Sequence, residues 1–543
     1  MKKLIFVSIL FFQFCAFSQE DAWVYLTDKE DVASSIANPI TILTQKAINR
    51  KTKHGVSIDA RDVPVNESYI SLLKNESGIS VLAKSKWFNA VHVRGTEIDI
   101  KNLLTNPDLA FIDHIDFADK SLNSSKTSKI NKVKSKFHLE NSFVDFTYGD
   151  TQNQIDMINL DDLHVTDYTG EGVTIGVIDA SFTNVNTMGA FQRIRDNGNL
   201  LGGYDFVNRT ADVYAYDPRP ANISHGTQVL STMAGFIQNN YVGTAPDASY
   251  YLFRTEDDGS ENPVEESYWV EAAERADSLG VDIINTSLGY LDFDNSRYNY
   301  TASNMDGNTA FITKGANIAF QKGLLLVTSA GNSGASGVGA PADSEFVFSI
   351  GAVNSSGNYA SFSSVGSAIQ PSLKPDVVAQ GQLPYMINAN NTIVQNNGTS
   401  FSSPIMAGAV ACLMQALPNK TNAEIMQLLR ESASQFSTPD YQLGYGIPDF
   451  QAALNTALSI NDVEEGFSFL LYPNPSKSLV YFKYPLNLSE VKVTLYNIIG
   501  KQVKTLLVSK NNNVMDISLL SKGIYIARIE SENSSISLKL IKD

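Results

Sequence analysis

The sequence predicts an α/β protein: a mostly parallel sheet with helices on both faces, preceded by a small α+β domain and followed by a β-sandwich. Three observations carry this reading. Between about residues 143 and 460, apolar runs of strand length alternate with stretches at helical spacing, the pattern of a sheet covered on both sides. Within that part, Gly398-Thr399-Ser400-Phe401-Ser402-Ser403-Pro404 leads into the apolar run Ile405 to Met414, a loop turning into a buried helix. Beyond residue 467 the spacing shortens to strands and turns, and the charge changes sign. Ten Lys+Arg against five Asp+Glu give +5 there, where the rest of the 543-residue chain carries −21.

In order along the chain, Met1-Lys2-Lys3 and the apolar stretch Leu4 to Phe17 read as a secretory signal peptide over 1–18, with cleavage before Gln19. The stretch is shorter than the ~20 residues that span a bilayer, and no later run is long enough. With Cys15 removed, Cys412 is the one cysteine left, which excludes an internal disulfide. Behind Ser400 it reads as a small buried apolar residue.

Residues 19–136 form the next part. Ala22 to Leu26, Ala90 to Val93 and Phe111 to Asp116 have strand character, and a turn at Arg61 to Asn66 leads into a helical stretch from Glu67 to Asn75. That makes a small α+β domain. Ser121 to Lys136 is rich in Ser, Lys and Asn without apolar periodicity, so it reads as an exposed linker and cleavage region.

The central part, 143–460, predicts strands at Val173–Ile178, Tyr250–Phe253, Val281–Asn285, Leu324–Thr328 and Val347–Val353. Helices are expected from His225 through Val229–Ile237, at Tyr268–Leu279, at Thr309–Gln321 and from the first turn at Pro404 onward. The net charge of −16 excludes a nucleic-acid binder, which needs a basic surface.

The chemistry sits at the ends of these elements. A strand ends in Asp179; Asn222-Ile223-Ser224-His225-Gly226-Thr227 opens a helix; and Ser400 stands where a helix start offers unpaired N–H groups. Alone, Ser400 reads as an N-cap. Acid, imidazole and hydroxyl together are the parts of a relay in which the acid orients the base and the base deprotonates the nucleophile. These three motifs, in this chain order, resemble the subtilisin-like serine peptidases. The resemblance implies Asp179, His225 and Ser400 as the catalytic residues, and makes the 19–136 domain a propeptide that assists folding and plugs the cleft. His164 lacks the Gly-Thr that follows His225 and reads as structural.

Two further loops match the family. Ser329-Ala330-Gly331-Asn332-Ser333-Gly334 implies Asn332 as an oxyanion donor, with Ala330 and Gly331 binding substrate. Thr286-Ser287-Leu288-Gly289 is similar to the segment that pairs with substrate as an added strand, so Ser287, Leu288 and Gly289 join the substrate-binding set. The uncharged Ala330 and Ser333 point to an uncharged residue before the scissile bond. No metal or cofactor is needed for this chemistry. The short loop Gln238 to Gly243 departs from the calcium loop of secreted bacterial subtilisins, and leaves a structural calcium open elsewhere.

In 467–543, Tyr472-Pro473-Asn474-Pro475-Ser476, Val493 to Gly500 and Lys522 to Ile529 resemble the C-terminal sorting domain of type IX secretion. The reading is a secreted serine endopeptidase, released or held on the outer cell surface. It acts on protein or peptide substrates, with its own propeptide as inhibitor and the type IX machinery as partner. The alternative is an inactive binding or adhesion protein on a peptidase scaffold.

Overall fold

A computed structural model describes residues 19–123, 146–215, 224–257, 259–461, 470–472, 474–483, 490–497, 500–509, 513–530 and 535–543. Residues 1–18, read from sequence as a signal peptide, most of the Lys-rich linker and residues 462–469 lie outside them. Chain contacts divide the protein into two compact units, Met1–Leu454 and Asn455–Asp543.

The N-terminal part is built on four strands, β1 (Gln19–Leu26), β2 (Ser80–Ser85), β3 (Ala90–Thr96) and β4 (Ile112–Phe117), in the order β2-β3-β1-β4. Helices α1 (Gln45–Lys53) and α2 (Glu67–Asn75) accompany them. Ala22, Val24, Val91, Val93, Ile70 and Leu73 close a core of its own. The edge strand β2 has no counterpart among the strands expected from sequence; its Ser-Val-Leu-Ala-Lys-Ser run is too weakly apolar to stand out.

The large sheet is wholly parallel. Its strands are β5 (Thr174–Asp179), β6 (Leu200–Asp205), β7 (Ser249–Arg254), β8 (Ile283–Thr286), β9 (Leu325–Ser329), β10 (Phe348–Val353) and β11 (Val377–Gln380), ordered β11-β10-β9-β8-β5-β7-β6. Strand β5 is buried at all six positions, as a central strand covered on both faces must be. Helices α3 (His225–Ala234), α4 (Val264–Leu279) and α5 (Phe311–Gln321) lie between these strands in the chain, and α6 (Thr399–Ala416) follows the last of them.

Several helix boundaries differ from the sequence expectation: α4 begins at Val264, four residues before the expected Tyr268, and α5 at Phe311, two after the expected Thr309. Helix α3 stops at Ala234, and Phe236–Ile237 instead pairs with Tyr241–Val242 in a short antiparallel ribbon. Pro404 stands in the sixth position of α6, not its first turn. A proline there removes the N–H that would bond the carbonyl of Ser400, four residues back. The Ser287 hydroxyl takes that place, donating to the Ser400 carbonyl at 2.9 Å.

The N-terminal part belongs to the same compact unit as the large sheet. Trp23 and Trp87 share one apolar cluster with Trp269, Val270 and Phe311, and Trp23 stacks on Phe311 with ring centroids 4.4 Å apart. Helix α1 meets the C-terminal end of α4: the Thr44 N–H donates to the Ser278 carbonyl at 2.9 Å. Gly280, at φ +83°, ends α4, and a Cβ there would stand 2.6 Å from the Ala47 nitrogen. Below this contact lies a buried ionic group. Lys51 Nζ is 2.8 Å from Asp277 and 3.1 Å from Asp62, Lys322 Nζ is 2.7 Å from Asp62, and Arg50 also pairs with Asp277.

The C-terminal unit contains two antiparallel sheets of three and four strands, spanning Leu470 to Lys542, around Val480, Val493, Leu495, Ala527 and Leu540. Alternating burial along Gly523–Glu530 gives it one dry and one wet face.

Candidate active site

Asp179 closes β5 and is 1 % exposed; its Oδ1 lies 2.7 Å from His225 Nδ1 and accepts the Ala180 N–H at 2.8 Å. His225 opens α3, and the approach of the two elements depends on its neighbour. A Cβ on Gly226 would fall 2.3 Å from the Ser181 carbonyl oxygen and 3.0 Å from Asp179 Cβ. Any side chain there would push the helix start, and His225 with it, away from the aspartate. The Asp179 contact fixes the imidazole tautomer with its proton on Nδ1, which leaves Nε2 as the basic nitrogen.

Ser400 stands in the first turn of α6. Its hydroxyl donates to the Ser287 carbonyl at 3.2 Å, while Ser287 returns a bond to the Ser400 carbonyl. The backbone at Ser400 is thereby tied to the loop after β8. The next residue, Phe401, sets its ring 5.8 Å from the His225 ring, so serine and imidazole share one corner of the fold.

Asn332 follows β9. Its Oδ1 accepts the Thr399 N–H at 2.9 Å and the Thr399 hydroxyl at 3.0 Å. With the oxygen held by a main-chain donor, the amide orientation is defined and the NH₂ is the group left to donate. Gly331, at φ +107°, adds a bond from its N–H to Thr399 Oγ1 at 3.2 Å, and a Cβ on it would meet Ser364 Oγ at 2.8 Å. Ala330 is fully buried with Val338 and Ala342, so its side chain backs the loop without facing solvent. Ser287 and Leu288 line the same cavity as Asp179 and His225, and Gly289 precedes the bridge between Tyr290 and Ala340.

His164 is fully buried, bonded to the Tyr148 hydroxyl at 2.8 Å and the Thr244 carbonyl at 3.0 Å. Burial pushes its pKa down to about 4, so it is neutral and structural. Cys412 is buried beside it, donates to the Thr244 carbonyl, and has its thiol pushed well up by burial. It is an inert residue of the helix.

Sequence reasoning passed over one feature of the site. The cavity of about 480 Å³ that holds Asp179 and His225 is also lined by Glu256, Asp257, Glu261, Glu265 and Asp294. Glu256, Glu261 and Glu265 bring carboxylate oxygens within 4.8 Å of one another, close enough to hold a cation. In the sequence these residues lie in an acidic loop and a helix start, where carboxylates are common and give no distinguishing signal.

Residues 170–446 match the Subtilase family model, 21–135 the Peptidase S8 propeptide domain of Bacteroidota, and 470–543 the secretion system C-terminal sorting domain. Subtilisin NAT of Bacillus subtilis subsp. natto is 31% identical over 386 residues, covering 70% of this chain and 84% of that protein. Subtilisin E of Bacillus subtilis (strain 168) is 30% identical over the same shares. Among solved structures, MycP1 with its N-terminal propeptide removed is 21% identical at a TM-score of 0.45, covering 56% of this chain and 96% of that one.

Proposed function

Because this chain belongs to the subtilase family and is a serine endopeptidase with a propeptide and a secretion sorting domain, we propose that it cleaves peptide bonds through Asp179, His225 and Ser400 by way of an acyl-enzyme. The observation that carries the reading is the 2.7 Å contact between Asp179 and His225 Nδ1, on the cavity bordered by the loop that binds Ser400. His225 Nε2 takes the Ser400 proton as Oγ attacks the scissile carbonyl, then delivers it to the leaving amine. Asp179 holds the tautomer and offsets the imidazolium charge. The oxyanion meets the Ser400 N–H and the Asn332 NH₂.

Ser287 to Gly289 pairs with the substrate strand, and Ala330 and Gly331 form part of the wall for an uncharged residue before the scissile bond. The propeptide acts as an inhibitor held on α4 and α5, a role supported by the core it shares with them. The protein is secreted or surface-attached by virtue of its sorting domain. That domain is what the type IX machinery engages.

A fluorophosphonate probe tests the nucleophile: mature enzyme is labelled at Ser400, and Ser400→Ala is not. Labelling that survives the substitution overturns the assignment. Asn332→Ala lowers kcat ~10²–10³-fold with KM little changed, since its donor acts on the transition state. A change confined to KM makes Asn332 a binding residue only.

A further inference from the structure

The triad chemistry makes no use of the carboxylates that line the same cavity. Five carboxylates line the cavity that also holds His225 and Asp179, and among the described residues no Lys or Arg lines it. The carboxylates are held in place by the protein. Glu265, 1 % exposed, accepts the Asp257 N–H at 2.7 Å on one oxygen and the Asn262 N–H at 2.8 Å on the other. Glu256 accepts the Tyr290 hydroxyl at 2.6 Å and the Thr255 hydroxyl at 2.9 Å. At the catalytic end of the same cavity, Asp179 Oδ2 is buried with no hydrogen-bond partner among the described residues.

We propose that this acidic cavity is a subsite that selects a lysine or arginine side chain on the N-terminal side of the scissile bond, and that the chain's own lysine-rich segment is a substrate that uses it. The inference rests on the peptidase reading above and specifies its substrate class. The position follows from Ser287 and Leu288, which border the cavity and belong to the segment assigned to the substrate strand upstream of the cut. The sign of the charge follows from the carboxylates. The substrate is in the sequence: residues 124–136 carry Lys126, Lys129, Lys132, Lys134 and Lys136 and no acidic residue, immediately after the described end of the propeptide at Asn123.

The electrostatics favour a cation once the substrate arrives. Burial, then Glu256 and Asp294, push Glu261 up to about 8; burial and Glu256 push Glu265 up to about 10. Without a cation the group therefore retains protons that an ammonium or guanidinium displaces. A calcium ion is the competing occupant. It would draw on the three convergent carboxylates, with carbonyl or water oxygens completing its 6–8 ligands. A cavity of about 480 Å³ is far larger than an ion needs and suits an extended side chain.

The test uses mature full-length enzyme and a set of peptides sharing one cleavage site. Lysine, arginine, norleucine, alanine or glutamate is placed in turn two, three or four residues before the cut. At one of these positions lysine and arginine raise kcat/KM about tenfold over norleucine, and glutamate lowers it. In Glu261→Gln the lysine-to-norleucine ratio falls towards one, and in Glu261→Lys it inverts in favour of glutamate. Equal cleavage of all peptides overturns the subsite and leaves the peptidase reading intact. Cleavage of none removes both. Calcium binding to the mature enzyme by calorimetry that is lost in Glu261→Gln, with the lysine ratio unmoved, makes the group a cation site and also overturns the proposal. In the precursor, replacing the five lysines by glutamine slows self-trimming about tenfold; an unchanged rate removes the segment as a substrate of this subsite.

Discussion

The N-terminal and C-terminal domains flank the same peptidase and are built differently. The N-terminal one has a core of its own and also places Trp23 and Trp87 in the apolar cluster of the peptidase helices, with Arg50 and Lys51 in a buried ionic group shared with Asp277 and Lys322. The C-terminal one closes its core with Val480, Val493, Leu495, Ala527 and Leu540, all from its own strands, and forms a separate compact unit. The difference teaches what each is for. The propeptide domain shares its interior with the enzyme, which supports the inhibitory role proposed for it. A domain that addresses the protein for export needs an interior that does not depend on the cargo.

The largest expected effect removes the means of separating the first domain. In Ser400→Ala, peptide hydrolysis falls by several orders of magnitude, because triad members act as a unit. The precursor purified without other peptidases then retains the chain from Gln19. Mass spectrometry reads this directly, and a Ser400→Ala precursor that still trims itself shows that the propeptide is removed by another route.

Next in size is the ionic group at the shared surface. Lys51 is 1 % exposed and stands between Asp62 and Asp277. Lys51→Met leaves two carboxylates buried with one cation fewer, a loss of ~3–5 kcal/mol for a broken buried pair. In the Ser400→Ala precursor this appears as a lower urea midpoint for the N-terminal part, with the C-terminal unit unaffected. An unchanged midpoint means that the apolar contacts of Trp23 and Trp87 alone hold the surface.

How much of this was legible in sequence follows from how local each feature is. Asp179, His225 and Ser400 were readable because each ends or opens an apolar element with a short motif around it. The helix Glu67–Asn75 was readable because Asn66 caps it through the Ser68 N–H and its apolar face repeats at helical spacing. The ionic group was not, since Lys51 and Asp277 lie 226 positions apart and each alone resembles a solvated surface charge. Strand β2 was missed for its weak apolarity, and the role of Pro404 because the hydroxyl that replaces its missing N–H comes from Ser287, 113 positions away from Ser400. The acidic cavity escaped because Glu256, Asp257, Glu261 and Glu265 read as ordinary surface carboxylates of a loop and a helix start, and Asp294 joins them from a separate loop.

A smaller effect sharpens the comparison through pH. Under the propeptide, Glu271 is pushed up to about 7 by burial, against the pull of Arg209. Glu274, which accepts the Ser85 hydroxyl and the N–H groups of Lys86 and Trp87, is also raised by burial. Release of the propeptide exposes both and returns them towards ~4.3. Groups raised in the closed form stabilise it at low pH and lose that contribution as pH rises through about 7. Asp277 has the opposite sign: Arg50 and Lys51 overcome its desolvation and lower it, so its contribution fades only below the ordinary carboxylate range. The closed form is therefore tightest at mildly acid pH and loosens towards pH 8. Melting of the Ser400→Ala precursor at pH 5 and at pH 8 checks this, and greater stability at pH 8 overturns it.

The smallest expected effect is the most direct test of the contrast. Truncation after Asn461 keeps the described end of the last peptidase helix, Phe450–Asn461, and removes the sorting domain. None of Asp179, His225, Asn332 or Ser400 lies beyond that point, and neither does any member of the cluster shared with the propeptide. The truncated enzyme should mature and show kcat on a short peptide within about twofold of the full chain, as expected when a domain with its own core is removed. Export should change completely: the truncated protein stops in the periplasm, and a fluorescent protein carrying a signal peptide and residues 467–543 passes the outer membrane. A truncated peptidase that reaches the medium, beside a graft that stays periplasmic, makes the C-terminal unit a binding module and breaks the contrast drawn between the two ends.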